Sequence, residues 1–181
     1  GSGRGFGQAM AVAFAAEGAH VVSTARTMSE LRNTEHYIQS VGGRVSTIPC
    51  DLSREDSVSE LITQLIDLGG VDVIVNNAAT SPWKTIDDMT TADWNLTLDV
   101  NLRAPFMLAK GLYQNMSEQG GGGIINISSG SSKRGFMAEL AYCPSKYGLE
   151  GLTQCLALEL KNHNIAVNSL NVGAPPGYKL K

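Results

Sequence analysis

The stretch that decides the fold is residues 1–24, GSGRGFGQAMAVAFAAEGAHVVST. Glycines stand at 1, 3, 5 and 7, an Ala-rich apolar run follows from Phe6 to Glu17, and Gly18 stops it. Alanine is the strongest helix former and glycine a common helix stop, so residues 6–17 predict a helix. The β-branched run AHVVST that comes next predicts a short buried strand over 19–24. Glycines at a helix start let backbone amides approach a pyrophosphate, and the helix N-terminus favours its negative charge. The same loop can serve as a tight connection only, and the strand that would confirm the motif by preceding it lies outside the sequence.

Working outward, the same alternation repeats. Residues 29–41 have helical character and are closed by Gly42 and Gly43, and 45–48 read as a strand. Ser53 followed by Asp56 resembles a helix cap, and Val58, Leu61, Ile62, Leu65 and Ile66 recur at helical spacing up to Gly69 and Gly70. VDVIV at 71–75 is a strand running into Asn76 and Asn77. A loop over 81–91 leads into a long helix over 92–119, which Pro105 is expected to kink. Four glycines at 120–123 make a turn into the strand IINI at 124–127. A polar loop over 128–135, a helix over 142–162 and the strand IAVNSL at 165–170 complete the order. Val- and Ile-rich strands separated by helices indicate βαβ units. The expected fold is one α/β domain over 1–181, a Rossmann-like doubly wound parallel sheet with helices on both faces. Such sheets bind ligands beyond the carboxyl ends of their strands.

Composition narrows the function. The 181 residues are 43% hydrophobic and 17% charged, and 14 Lys plus Arg against 17 Asp plus Glu give a net charge of -3. That balance has no basic footprint for nucleic acid or an anionic membrane surface. No apolar run approaches the roughly 18 residues of a membrane span. Cys50, Cys143 and Cys155 are odd in number and not spaced as CxxC, which suits free thiols in the reducing cytoplasm. His20, His36 and His163 are scattered, so no metal site is expected.

The chemistry concentrates in Ser129, Tyr142 and Lys146. Tyr142 and Lys146 are four apart and share one helix face, while Ser129 follows the strand 124–127. A phenol at its reference pKa of about 10 is too weak a base near neutrality. Bringing it to about 7 takes about 4 kcal/mol of differential stabilisation. A lysine one turn away, together with a cationic nicotinamide, could supply it. The Ser129 hydroxyl at a strand end could hold a carbonyl oxygen.

These residues in this order resemble the short-chain dehydrogenase/reductase family, in its shorter single-domain branch. Residues 1–7 are similar to the family's TGxxxGxG loop without its leading Thr. Asn76-Asn77-Ala78-Ala79 is similar to its NNAG, with Ala in place of Gly. Asn101 in DVNL, with Ser129 and the Tyr142–Lys146 YxxxK pair, matches the family's tetrad. Residues 168–173, NSLNVG, resemble the segment ending in Pro-Gly, with Val172 in place of Pro.

The resemblance implies roles. Tyr142 would be the general acid or base, Ser129 would orient the substrate oxygen, and Lys146 would bind the nicotinamide ribose and lower the Tyr142 pKa. Asn101 would hold a water linking Lys146 to solvent. Gly1, Ser2, Arg4, Gly5, Phe6 and Gly7 would cradle the cofactor phosphates. Asp51 and Leu52 would contact the adenine, Asn76 and Ala78 the adenosine ribose, and Gly173 the cofactor beyond the last strand. Asp51 read alone is a helix-cap neighbour, and Asn-Asn read alone is ordinary turn chemistry.

The family's acidic position after the second strand falls on Ala25, and Arg26 follows it. Arg26 and Arg4 could converge on a 2′-phosphate, so NADP(H) is expected over NAD(H). The resemblance further implies a small carbonyl or alcohol substrate. It also implies a homodimer or homotetramer built on helices 92–119 and 142–162, through Leu96, Val100, Leu108 and Leu112 with Leu149, Leu152, Leu156 and Leu160. A strand before Gly1 and a segment after Lys181 belong to the family pattern, so the chain is expected to be a piece of a longer protein. A non-catalytic nucleotide-binding scaffold and an inactive fragment are the alternative readings.

Overall fold

The computed structural model describes residues 1–173. Helix α1 spans Gly5–Ala16, strand β1 His20–Ala25, α2 Met28–Ser40, β2 Arg44–Pro49, α3 Glu55–Asp67 and β3 Val73–Asn76. Then come α4 Thr91–Leu98, α5 Ala104–Glu118, β4 Gly122–Ser128, α6 Tyr142–Glu159 and β5 Ile165–Asn171. The architecture is α/β and Rossmann-like, with every named strand pair parallel. The glycine loop, the element order and the strand cores fall where the sequence places them.

The described strands pair in a two-stranded and a three-stranded parallel group. β1 pairs with β2, and separately β3 pairs with β4 and β4 with β5. Between β1 and β3 lies a cavity of about 520 Å³, lined by Val21 and Val22 on one side and Ile74 and Val75 on the other. Parallel strands need a ladder partner at about 4.8 Å, and no described strand fills that gap.

The main core sits under the second sheet. Val58, Leu61 and Leu65 of α3 and Leu108, Leu112 and Met116 of α5 pack with Ile124 of β4 and Val167 of β5. This is the helical spacing in α3 cashed out as burial; each such side chain contributes about 1.5–3 kcal/mol. A smaller cluster joins Ala11 and Ala15 of α1 to Ile38 of α2. The α1 alanines let these two helices approach closely.

Three local expectations change. The long helix 92–119 is broken not by a Pro105 kink but by a π-helical segment, Asp99–Arg103, just before it. Pro105 has no N–H to return to the Asn101 carbonyl four residues earlier, which favours a wider turn there. Helix α4 starts at a reciprocal cap of Thr90 and Asp93, with Thr90 in the stretch expected to be a loop. The Ser53–Asp56 cap does not form: Arg54 stands at the N-cap position of α3 without a side-chain cap, and Ser53 donates to Asp51 instead.

Candidate active site

The glycine loop is sewn onto β1 and the segment after β3. Ser2 donates its N–H to the Thr24 carbonyl at 3.0 Å and accepts the Thr24 N–H at 2.9 Å. Asn77 Nδ2 donates to the Gly1 carbonyl at 2.9 Å. A Cβ on Gly7 would overlap that carbonyl, and one on Gly1 would stand 2.7 Å from Ala78 Cα. Only glycine permits this approach. Helix α1 begins at Gly5 with no side-chain cap from Arg4, so its first amides have no side-chain acceptor.

Beside this loop is a cavity of about 330 Å³. It brings together Gly1, Arg4, Arg26, Asp51, Leu52 and Ala78 of the sequence-predicted set. Ser2, Gly7 and Asn76 line the larger cavity between the sheets instead. Gly5 and Phe6 are exposed at the start of α1, and Gly173 is exposed after β5; none of the three lines either cavity. Asn76 spends its amide on the sheet, donating to Asn126 Oδ1 at 2.8 Å. Its neighbour Asn77 lines the smaller cavity.

Among the lining residues outside the predicted set are Gly3, a member of the glycine loop, and Glu30. Gly3 lies under the cavity, and Glu30 of α2 reaches it with a carboxylate 4.0 Å from Arg4 Nε. The ion pair is largely exposed and therefore weak. The only signal for Glu30 was its place in the first turn of α2. Burial pushes the Asp51 carboxyl up, but the two hydrogen bonds from Ser53 and the charges of Arg26 and Arg54 together hold it below its usual range.

The Ser129, Tyr142 and Lys146 side chains gather at the carboxyl end of β4. Lys146 is 2% exposed and its Nζ donates to the Ile127 carbonyl at 2.8 Å. That ammonium lies 5.5 Å from the Tyr142 ring centroid. Burial pulls Lys146 down to about 8, against the Glu150 charge one turn on, which raises it. Burial pushes the Tyr142 phenol up, a hydrogen bond with Ser129 opposes this, and the Glu139 and Cys143 charges add to the rise. The chain by itself therefore raises the phenol rather than lowering it as expected. The phenol is half-buried, and the lysine is fastened to a backbone carbonyl.

Asn101, 1% exposed, stands in the π-helical segment and ties three elements. Its Oδ1 accepts from Thr80 N–H at 2.8 Å, and its Nδ2 donates to the Thr80 carbonyl and to Ser145 Oγ, each at 3.0 Å. Ser145 in turn donates to the Tyr142 carbonyl at 2.7 Å. A second polar cluster braces the helix behind the site. Glu150 accepts from Ser128 at 2.6 Å, Ser132 at 3.1 Å and Ser169 at 2.7 Å. Ser145 and Glu150 carried no sequence signal, because their partners are distant in the chain. Among the described residues no group of three or more His, Cys, Asp or Glu could hold a metal ion. No helix among them is long and apolar enough to cross a membrane.

A glycine-lined cavity at the strand ends, next to a Ser–Tyr–Lys set, is the arrangement of a nicotinamide-dependent oxidoreductase fold. The short chain dehydrogenase profile matches residues 1–175, and the chain belongs to that family. It is 38% identical over 177 residues to a short-chain dehydrogenase/reductase of Armillaria gallica, covering 96% of this chain and 68% of that one. It is 34% identical over 171 residues to human dehydrogenase/reductase SDR family member 4, covering 93% of this chain and 62% of that one. A metagenomic short-chain oxidoreductase solved in complex with NADP superimposes with a TM-score of 0.91 at 37% identity, covering 97% of this chain and 79% of that one.

Proposed function

We propose that the protein transfers a hydride between NADP(H) and a carbonyl/alcohol pair, with Tyr142 moving the accompanying proton. The observation that carries this reading is the juxtaposition at the end of β4. Ser129 lies near enough to the Tyr142 phenol to oppose the rise that burial gives its pKa, and Lys146, buried one turn on, is held by the Ile127 carbonyl.

The residues present fit a dinucleotide. A Cβ at Gly1 or Gly7 would close the cradle, and the first amides of α1 are left without a side-chain cap. Gly1, Arg4, Arg26, Asp51, Leu52 and Ala78 would hold the adenosine and phosphate end, and Lys146 the nicotinamide ribose. When bound, the nicotinamide gives or takes the hydride, and its oxidised form carries a positive charge.

In the reducing direction Tyr142 donates its proton to the carbonyl oxygen as that oxygen gains charge. The raised phenol pKa keeps it protonated for this acid role. In the oxidising direction the phenolate takes the alcohol proton. Ser129 orients the substrate oxygen. Lys146 carries its charge mainly below about 8, so its electrostatic pull on the phenol belongs to neutral and acidic pH. Asn101 has its side chain fully committed to Thr80 and Ser145. Its main-chain carbonyl, which lacks a donor from Pro105, is the atom for a water relaying protons to Lys146.

Preference for NADP(H) is supported by Arg4 and Arg26 lining one cavity with Ala25, which carries no carboxylate. A 2′-phosphate meeting two guanidiniums gains paired, charge-assisted hydrogen bonds. We also assign the protein a cytoplasmic location and a homodimeric or homotetrameric state. Of the expected residues Leu96 is exposed, while Leu108 and Leu160 are buried within the chain. Leu112 and Leu149 are fully buried within the chain, whereas Phe106, Tyr147 and Leu158 of α5 and α6 are exposed.

Tyr142→Phe tests the catalytic reading. Loss of nearly all turnover with cofactor binding intact supports it; turnover within a few-fold of the parent removes Tyr142 from the role. Absorbance of the reduced nicotinamide follows the one and fluorescence titration the other.

A further inference from the structure

A buried carboxylate outside the tetrad connects to Ser129 through one hydroxyl. Glu139 lies in the loop before α6 and is 6% exposed. Its Oε2 accepts from Ser131 Oγ at 2.6 Å and from Cys143 Sγ at 3.4 Å. Ser131 is 4% exposed, and its N–H donates to Ser129 Oγ at 3.2 Å. Ser129 Oγ in turn donates to Ser131 Oγ at 3.3 Å.

The hydrogen count fixes the directions. A serine hydroxyl has one hydrogen. A carboxylate is acceptor-only, so Ser131 spends its hydrogen on Glu139 and can only accept from Ser129. The Ser131 N–H fills one Ser129 lone pair, so Ser129 Oγ is held from two sides. A charged acceptor makes the stronger anchor, and its burial removes competition from water. The Glu139 backbone is itself tied down by a bridge to Lys84. Cys143 is the residue after Tyr142, so the same carboxylate ties the Ser129 turn to the first turn of α6.

We propose that Glu139 is a positioning residue: through Ser131 it fixes the Ser129 hydroxyl relative to Tyr142. This rests on the catalytic reading of Ser129 and Tyr142 given above. Without Glu139, the Ser131 hydrogen is free to turn onto Ser129, and the short helical turn Gly130–Ser132 loses its buried anchor. Ser129 Oγ, whose hydrogen turns from Ser131 to the substrate oxygen when that oxygen binds, would then no longer be held in place by the Ser131 N–H. Misplacement of a positioned group on this scale costs up to about a hundredfold in rate.

The test is a double-mutant cycle on the whole protein, with kcat and cofactor Kd measured for each variant. Glu139→Ala is expected to lower kcat by about tenfold or more, with cofactor Kd unchanged. Glu139→Gln, whose amide oxygen still accepts from Ser131, is expected to restore most of it. Ser131→Ala removes the link with Glu139 in place and is expected to reproduce the loss, which carries the test if Glu139→Ala does not fold. In a Ser129→Ala background, either change is expected to cost less than about twofold further, because the group acted upon is gone. A full additional loss in that background, or a normal kcat in both Glu139→Ala and Ser131→Ala, overturns the proposal. Normal turnover in Tyr142→Phe would instead overturn the catalytic reading itself.

Discussion

Asn101 Nδ2 donates to Ser145 Oγ at 3.0 Å, linking the π-helical segment to the first turns of α6. Through Ser145 the link continues to the Tyr142 carbonyl. The position of Tyr142 is therefore coupled to the segment after β3 that carries Thr80. Asn101→Ala would leave the Thr80 amide and carbonyl without their buried partner. An unsatisfied buried polar group costs about 1–3 kcal/mol. Chemical denaturation is expected to show a loss of about 2 kcal/mol, with a fall in kcat at unchanged cofactor affinity. Unchanged kcat in a folded variant would confine Asn101 to stability.

Lys146 sets a pH limit. Its pKa in the fold is about 8, against 10.5 for an ordinary lysine, chiefly because burial disfavours the charge. Between those two values the unfolded chain binds the proton and the folded chain does not. Stability from this group therefore rises with pH across that window. Lys146→Met is expected to flatten that rise in denaturant midpoints taken at several pH values. Activity moves the other way: kcat/KM for the cofactor, which reports the free enzyme, is expected to fall as pH climbs past about 8. Lys146→Arg moves that limb upward if the lysine charge is its cause.

Arg26 is expected to decide between the cofactors. The ratio of kcat/KM for NADPH to that for NADH is expected to favour NADPH in the parent protein. Arg26→Asp removes a charge-assisted contact and adds a repulsion, so the ratio should drop by about 10- to 100-fold or more. A parent that prefers NADH would contradict the assignment whatever the variant does. Glu30, 4.0 Å from Arg4, provides the companion measurement: Glu30→Gln should strengthen NADPH binding by freeing Arg4.

Asn126 holds the sheet to α6. It accepts from Asn76 Nδ2 at 2.8 Å and donates to Thr153 Oγ1 at 2.8 Å, fully buried. Asn126→Ala strands both partners and should cost about 2 kcal/mol in urea denaturation. Asn126→Asp keeps the acceptor but loses the donor to Thr153, and burying its charge should destabilise the protein at neutral pH more than in acid.

Association is expected to run through α5 and α6. Leu158 of α6 is 79% exposed, and Phe106 of α5 and Tyr147 of α6 are exposed as well, which leaves apolar area on both helices. Light scattering should give a dimer or tetramer mass, and Leu158→Glu combined with Tyr147→Glu should lower it. A monomer mass for the parent rejects the expectation.

The chain order of helices and strands was readable in the sequence because it rests on local rules. Alanine runs, β-branched runs and glycine stops act over a few residues. The spacing of Tyr142 and Lys146 is likewise helical arithmetic, and it needed no neighbour to be read. What tertiary structure alone decided depends on residues far apart. Asn101 and Ser145 are 44 apart, and Ser169 reaches Glu150 across 19 positions. Glu30 meets Arg4 only because α2 folds back over the glycine loop. The direction of the Tyr142 pKa belongs here too: spacing placed a cation one turn away, but burial of the phenol and the charges of Glu139 and Cys143 raise it. The partners of each described strand, β1 with β2 and β4 with both β3 and β5, were equally unreadable from strand propensity. Propensity says that a segment is extended, while pairing is set by which edges the three-dimensional packing brings within hydrogen-bonding distance.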